Sequence, residues 1–190
     1  LTLPANNGSA DQVLKTDGSG NLSFTGNTGL FSAYAILEDQ KTAGSNGGSN
    51  DSSASWQKRD LNQEIDPSGI VSLSSSQFTL QAGTYFIKWR SPSYNTKEFT
   101  TRLYNATDTA HVKTGSTGHG GEQASGGTGP SNVDSVGYAR VTISGAKAFE
   151  IQMATDRTQA DSGFGRGVPS STASSDVVDI YTQVEIWKEV

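Results

Sequence analysis

The stretch Phe78-Thr79-Leu80-Gln81-Ala82-Gly83-Thr84-Tyr85-Phe86-Ile87-Lys88-Trp89-Arg90 decides the fold. It reads as one β-strand ending at Leu80, a bend at Gly83, and a second strand with a period of two. Tyr85, Ile87 and Trp89 fall on one face of that strand, and Phe86, Lys88 and Arg90 fall on the other. A glycine suits the bend because a reversal between strands often needs positive φ. Aromatic residues on both faces predict that both are covered, one by an opposing sheet and the other by a sheet neighbour or a second subunit.

An apolar strand, then Leu80-Gln81-Ala82-Gly83-Thr84-Tyr85, then an alternating strand resembles the central pairing of the compact jelly-roll domains typified by tumour necrosis factor and the globular head of the first complement component. The longer run from Trp56-Gln57-Lys58-Arg59-Asp60-Leu61-Asn62 to Leu103-Tyr104-Asn105-Ala106-Thr107-Asp108 is similar to a variant of that domain found at the ends of bacteriophage tail fibres. The resemblance implies an all-β, two-sheet antiparallel jelly-roll sandwich that assembles as a homotrimer.

Working outward, Phe31 to Leu37 alternates, Asp66-Pro67-Ser68-Gly69 is a turn, and Ile70, Val71 and Leu73 enter the strand before the deciding pair. Lys41 to Ser55 is a Gly/Ser/Asn loop with no apolar anchor and is expected to be mobile. Trp56 opens an element expected to carry Lys58-Arg59-Asp60 outward. A turn is placed at Pro92. Phe99, Thr101 and Leu103 alternate with Thr100, Arg102 and Tyr104 before a turn at Asn105-Ala106-Thr107-Asp108. Gly115 to Asp134 is almost entirely polar and buries too little apolar surface to order itself, so it is either disordered or held by something outside it, and Asp156 to Ser175 is a second long polar loop relieved only by Phe164 and Val168. The strands around Ala139, Val141 and Ile143 and around Phe149, Ile151 and Met153 follow. In the last strand Val178, Ile180, Val184 and Ile186 alternate with Asp179, Tyr181, Gln183, Glu185 and Trp187. The count is about nine or ten short strands, with neither the blade repeat of a propeller nor the rungs of a β-helix.

Residues 1–29 read as a separate module ahead of a domain spanning 30–190. In it Gln12-Val13-Leu14-Lys15-Thr16 and Leu22-Ser23-Phe24 flank the turn Asp17-Gly18-Ser19-Gly20-Asn21. Such a hairpin has apolar side chains and nothing of its own to bury them against. The segment from Leu3-Pro4 through Asp11 to Phe24 resembles a linker motif that recurs in phage fibre proteins just ahead of a terminal domain; a flexible, turn-rich linker is the other reading. Leu rather than Met at position 1 suggests a fragment of a longer chain.

Composition bounds the function. The chain has 190 residues, no Cys and a net charge of −5. Its apolar fraction, with Gly counted in place of Tyr, is about 42%, thin for its length, and self-association is the natural remedy. Zero Cys excludes disulfides and thiolate metal sites. The acidic balance argues against a nucleic-acid partner, because neutralising phosphates takes an excess of Lys and Arg. No run reaches the ~20 apolar residues of a membrane span, so membrane insertion is not expected.

Chemistry has little to work with. Neither His111 nor His119 stands beside a Ser in a nucleophile elbow, and two isolated histidines lack the clustering of a metal site. No loop has the alternating Asp/Asn pattern of a calcium site. Glu122, Asp134, Asp156 and Asp161 lie in or beside long loops and are the carboxylates a glycosidase would draw on; as solubilising loop residues they need no such role. Neither enzymatic activity, nor a cofactor, nor a metal is expected. What remains is recognition by loops. Tyr94 and Asn95 at one strand junction, with Arg157, Gln159, Phe164 and Arg166 in the second long loop, combine planar hydrogen-bonding groups with an aromatic expected to be exposed and able to stack on sugar faces. Tyr34, Phe86, Tyr181 and Trp187 are the candidates for the trimer interface, each of them alternatively a covered aromatic within one subunit. The reading is a phage tail-fibre tip, extracellular on the virion, that trimerises and adheres to a host surface receptor, with carbohydrate as the expected class. The alternatives are a purely structural trimerisation cap and a polysaccharide-cleaving tip.

Overall fold

The computed structural model describes residues 1–26, 29–121, 129–169, 171–172 and 177–190; Glu122, one of the loop carboxylates, lies outside them. Thirteen strands are found among these residues, more than the alternation alone distinguishes, because short pairings such as β4 (Gln57–Lys58) and β5 (Gln63–Ile65) carry no periodic signal. The first two, β1 (Gln12–Thr16) and β2 (Leu22–Gly26), pair only with each other. The other eleven form two antiparallel sheets.

One sheet runs β11-β8-β13-β3-β5, built from β11 (Asn132–Ile143), β8 (Gly83–Tyr94), β13 (Val178–Glu189), β3 (Phe31–Thr42) and β5. The other runs β10-β9-β12-β7-β6, from β10 (Ala110–His119), β9 (Glu98–Asn105), β12 (Lys147–Thr155), β7 (Gln77–Leu80) and β6 (Val71–Ser74), with β4 alongside β12. The chain passes back and forth between the sheets, and sequence neighbours such as β8 and β9 lie in different ones. That is the jelly roll.

The deciding stretch behaves as its alternation predicts. Tyr85, Ile87 and Trp89 are fully buried between the sheets with Leu37, Phe78, Leu80, Leu103, Phe149, Ile151, Val184 and Ile186. Gly83 begins β8 with φ 154°, and a side chain there would press on Tyr85 and Lys188. Burying side chains of this size stabilises by about 1.5–3 kcal/mol each.

Several expectations are corrected. Pro92 sits inside β8, and the reversal falls at Asn95-Thr96-Lys97, where Asn95 and Lys97 hold φ near +57° and +56°. Part of the Gly115–Asp134 stretch is strand, β10 running to His119 and β11 starting at Asn132; Gly118 lies so close to Phe99 that a Cβ would stand 2.6 Å from its ring. Arg59 points inward and is fully buried. In β13 the alternation breaks: Ile180 pairs with Gln40 and Gln183 with Glu38, so Tyr181 and Thr182 together face the single residue Asp39. This bulge turns Tyr181 into the interior and leaves Ile180 exposed.

Candidate functional site

The ends of β3, β8, β10 and β12 and the starts of β11 and β13 meet at one end of the sandwich, where the two long loops lie. The loop after β3, expected to be mobile, is tied to the loop after β12 by reciprocal backbone hydrogen bonds. Gly47 N donates to Gly165 O, Gly48 N to Asp161 O and Phe164 N to Gly48 O, all at 2.9 Å. Asn50, buried at the junction, donates through Nδ2 to Thr155 Oγ1 (2.6 Å) and to the Arg157 carbonyl (2.7 Å), and its Oδ1 accepts from Gln159 N (2.9 Å). Satisfied polar groups order these loops where apolar anchors are scarce.

Beneath them Arg59 is the pin. Its Nε donates to Thr182 Oγ1 (2.9 Å), its Nη2 donates to the Phe164 carbonyl (2.7 Å), and its guanidinium lies 4.0 Å from the centre of the Phe164 ring. Burial pulls the guanidinium down to about 10, with Asp39 and Asp60 acting the other way. Asp39 is buried as well. The Lys41 ammonium stands 3.0 Å from its Oδ1, and loss of hydration pushes this carboxyl up from its ordinary value against the pull of Lys41.

Of the six residues expected to bind a receptor, five are joined by side-chain contacts in two groups. Asn95 Nδ2 donates to Gln159 Oε1 (2.5 Å), Arg157 Nη1 donates to Asn95 Oδ1 (3.2 Å), and Arg166 Nη1 donates to the Tyr94 hydroxyl (2.6 Å) with its guanidinium over that ring at 5.4 Å. They do not all face solvent. Phe164 is only 6% exposed, packed with Phe99 and Met153 under Arg59. It therefore offers no face to a sugar, because the polar loop uses its one large aromatic as its own anchor. Asn95 is buried too, while Arg166 is exposed and Tyr94, Arg157 and Gln159 are half-exposed. Beside Arg166 a cavity of about 200 Å³ is lined by Arg90, Asn132, Asp134, Asp179 and Tyr181 among others. Among the described residues no three His, Asp or Glu side chains gather as metal ligands.

Of the four interface candidates, Tyr181 is the correction. It is 3% exposed, its hydroxyl donates to the Ser45 carbonyl (2.5 Å), and Gly165, at φ 125°, packs against its ring. Tyr34, Trp187 and Phe86 instead form a row across β3, β13 and β8 on the outward face. Tyr34 is 46% exposed. Phe31 and Tyr138 extend the row, with ring centres 6.2 Å from Trp187 and 6.3 Å from Phe86 respectively. The ion pairs Lys88–Glu185 (2.8 Å) and Arg140–Glu189 (2.6 Å) flank it.

Asn50 and Arg59 escape a reading of the sequence. Neither has a distinguishing local pattern, and the partners of Arg59 lie about a hundred residues away.

No protein-family model matches the chain, and no curated protein matches it by sequence. Among solved structures, murine APRIL (pH 8.0) is similar over 82% of this chain and 98% of its own, at 6% identity and a TM-score of 0.48. The globular domain of zebrafish complement 1qA covers 83% of this chain and 96% of its own at 14% identity and a TM-score of 0.45. Eiger TNF from S. frugiperda covers 84% and 94% at 9% identity and a TM-score of 0.41. The class to which this chain belongs is the antiparallel jelly roll, as its own strand order defines it.

Proposed function

We propose that this chain is the tip of a phage tail fibre, located on the virion outside the cell. Residues 30–190 form the receptor-binding domain and residues 1–29 the linker and collar. Three copies share an axis, and the loop cluster adheres to carbohydrate on the host surface. The observation that carries this reading is the outward aromatic row of Tyr34, Trp187, Phe86 and Tyr138. The core is already complete between the sheets, so these rings have no work to do inside one subunit, and a contiguous aromatic patch on a finished sandwich is interface material. The hairpin supports the same reading, since Val13 and Leu14 are exposed on it and no hydrogen bond among the described residues ties it to the domain.

Adhesion is tested with the fluorescently labelled chain on a panel of bacterial strains, competed by their isolated envelope polysaccharides. Saturable binding to particular strains is expected. Arg166→Ala should weaken it by about tenfold or more while leaving the melting temperature unchanged, as an exposed contact residue does. Binding to no strain would leave a structural cap, and release of reducing ends from the envelope would make the tip an enzyme; either outcome overturns adhesion as the function.

A further inference from the structure

The outer face of the six-stranded sheet carries a constellation that the loop-based reading does not use. Arg102 and Tyr104 point outward from β9, opposite the buried Thr101 and Leu103. Trp56, just before β4, reaches the same face from across β12. The Arg102 guanidinium lies 4.1 Å from the centre of the Trp56 ring and 4.6 Å from that of Tyr104. Its Nε donates to Gln152 Oε1 at 2.7 Å. Gln152 in turn donates to Glu150 Oε1, and Gln77 Nε2 donates to Glu150 Oε2 at 2.7 Å. Gln152 and Glu150 are both buried, so the guanidinium is held by two rings and by a rigid network beneath it. Its Nη1 and Nη2, by contrast, have no hydrogen-bond partner among the described residues.

The platform opens onto a groove. Thr100 and Ala154, the next outward positions on β9 and β12, line an open groove of about 760 Å³ that continues past Thr117 to Glu98, His119 and Asp156.

We propose that this face binds an oligosaccharide that carries one carboxylate. Two parallel donors on a planar, pre-oriented cation match a carboxylate oxygen pair, and a guanidinium already fixed by stacking and by its Nε gives up little freedom on binding. The half-exposed Trp56 and Tyr104 offer ring surface to the sugar body. Farther along, the hydroxyls of Thr100 and Thr117 and the carboxylates of Glu98 and Asp156 suit neutral sugars, whose hydroxyls can donate to them. The two acids at that end, even with His119 Nε2 3.7 Å from Glu98 and Lys97 Nζ 3.8 Å from Asp156, leave no surplus positive charge for a polymer charged at every residue or for an acidic peptide. The platform of Arg102, Trp56 and Tyr104 lies within one subunit and shares no residue with the loop cluster.

The test is calorimetric titration of the full chain with glucuronate-capped and sialate-capped trisaccharides, each beside its carboxyl-reduced form. One acidic trisaccharide should bind saturably, and reduction of its carboxyl should weaken binding by about tenfold or more, as loss of a charge-assisted pair does. Arg102→Lys, which keeps the charge but not the fork, should weaken it similarly. Equal binding of the acidic and reduced forms would overturn the proposal, as would no saturable binding of either capped sugar or equal competition by hexaglutamate. The comparison of ligands reads the proposal on the unaltered chain, whatever a variant does to folding.

Discussion

At the scale of single residues, the loop end of the sandwich depends on Arg59. It is a buried cation whose hydrogen bonds go to Thr182 and to the Phe164 carbonyl, and whose attraction to Asp39 acts without a direct hydrogen bond. Removing it deletes these hydrogen bonds, that to Met153 Sδ and a stacking contact, and leaves Asp39 buried with Lys41 as its nearest counter-charge. Arg59→Ala is therefore expected to destabilise the fold by about 3–5 kcal/mol, the cost typical of breaking a buried charge arrangement, measured by urea unfolding. A loss under about 1 kcal/mol, the range of a surface pair, would show that Arg59 does not pin the loops. The lesson of the sequence lies here too. Tyr85, Ile87 and Trp89 announce their burial by alternation, whereas Arg59 in Lys58-Arg59-Asp60 looks like solvated charge, and only the folded partners reverse that reading. Phe164 is similar: a lone aromatic in a polar loop reads as a contact for something outside, yet it plugs the loop from within.

At the scale of elements, the long strands are legible and the irregularities are not. The bulge in β13 is invisible because Val178, Ile180, Val184 and Ile186 keep strict parity in the sequence; the two residues facing Asp39 break that parity only once the sheet pairs. The loop after β3 is misread because its order comes from side-chain amides such as Asn50 and not from apolar burial. The hairpin turn, in contrast, is legible and makes its own prediction. The Asp17 carboxylate accepts from Asn21 Nδ2 (2.7 Å), Ser19 N (2.8 Å) and Asn21 N (3.1 Å), and these bonds, the Asn21 side chain foremost, hold it below its ordinary value of 3.8. A carboxyl lowered in the folded state adds stability above its unfolded value, which is lost as pH falls through the folded one. NMR titration should thus place the Asp17 midpoint below 3.8, with the amide shifts of Ser19 and Asn21 moving at the same midpoint. A midpoint at or above 3.8 would mean that the turn is not held by this carboxylate.

At the scale of the whole molecule, one chain builds a complete core and still shows two unfinished surfaces, the aromatic row across β3, β13 and β8 and the apolar side chains of the leading hairpin. The threefold axis proposed above would cover both, and three copies would turn weak loop contacts into useful avidity. The outward faces are readable in the sequence through Phe86 and Trp187, and Tyr181 is the candidate that the bulge turns inward. Both surfaces stand or fall with assembly, which sedimentation equilibrium of the full chain at micromolar concentration measures. One species at three times 20.0 kDa is expected, dissociating to a folded monomer in the double variant Phe86→Glu, Trp187→Glu; a folded, unaltered chain that sediments as a 20.0 kDa monomer throughout that range would rule out the trimer.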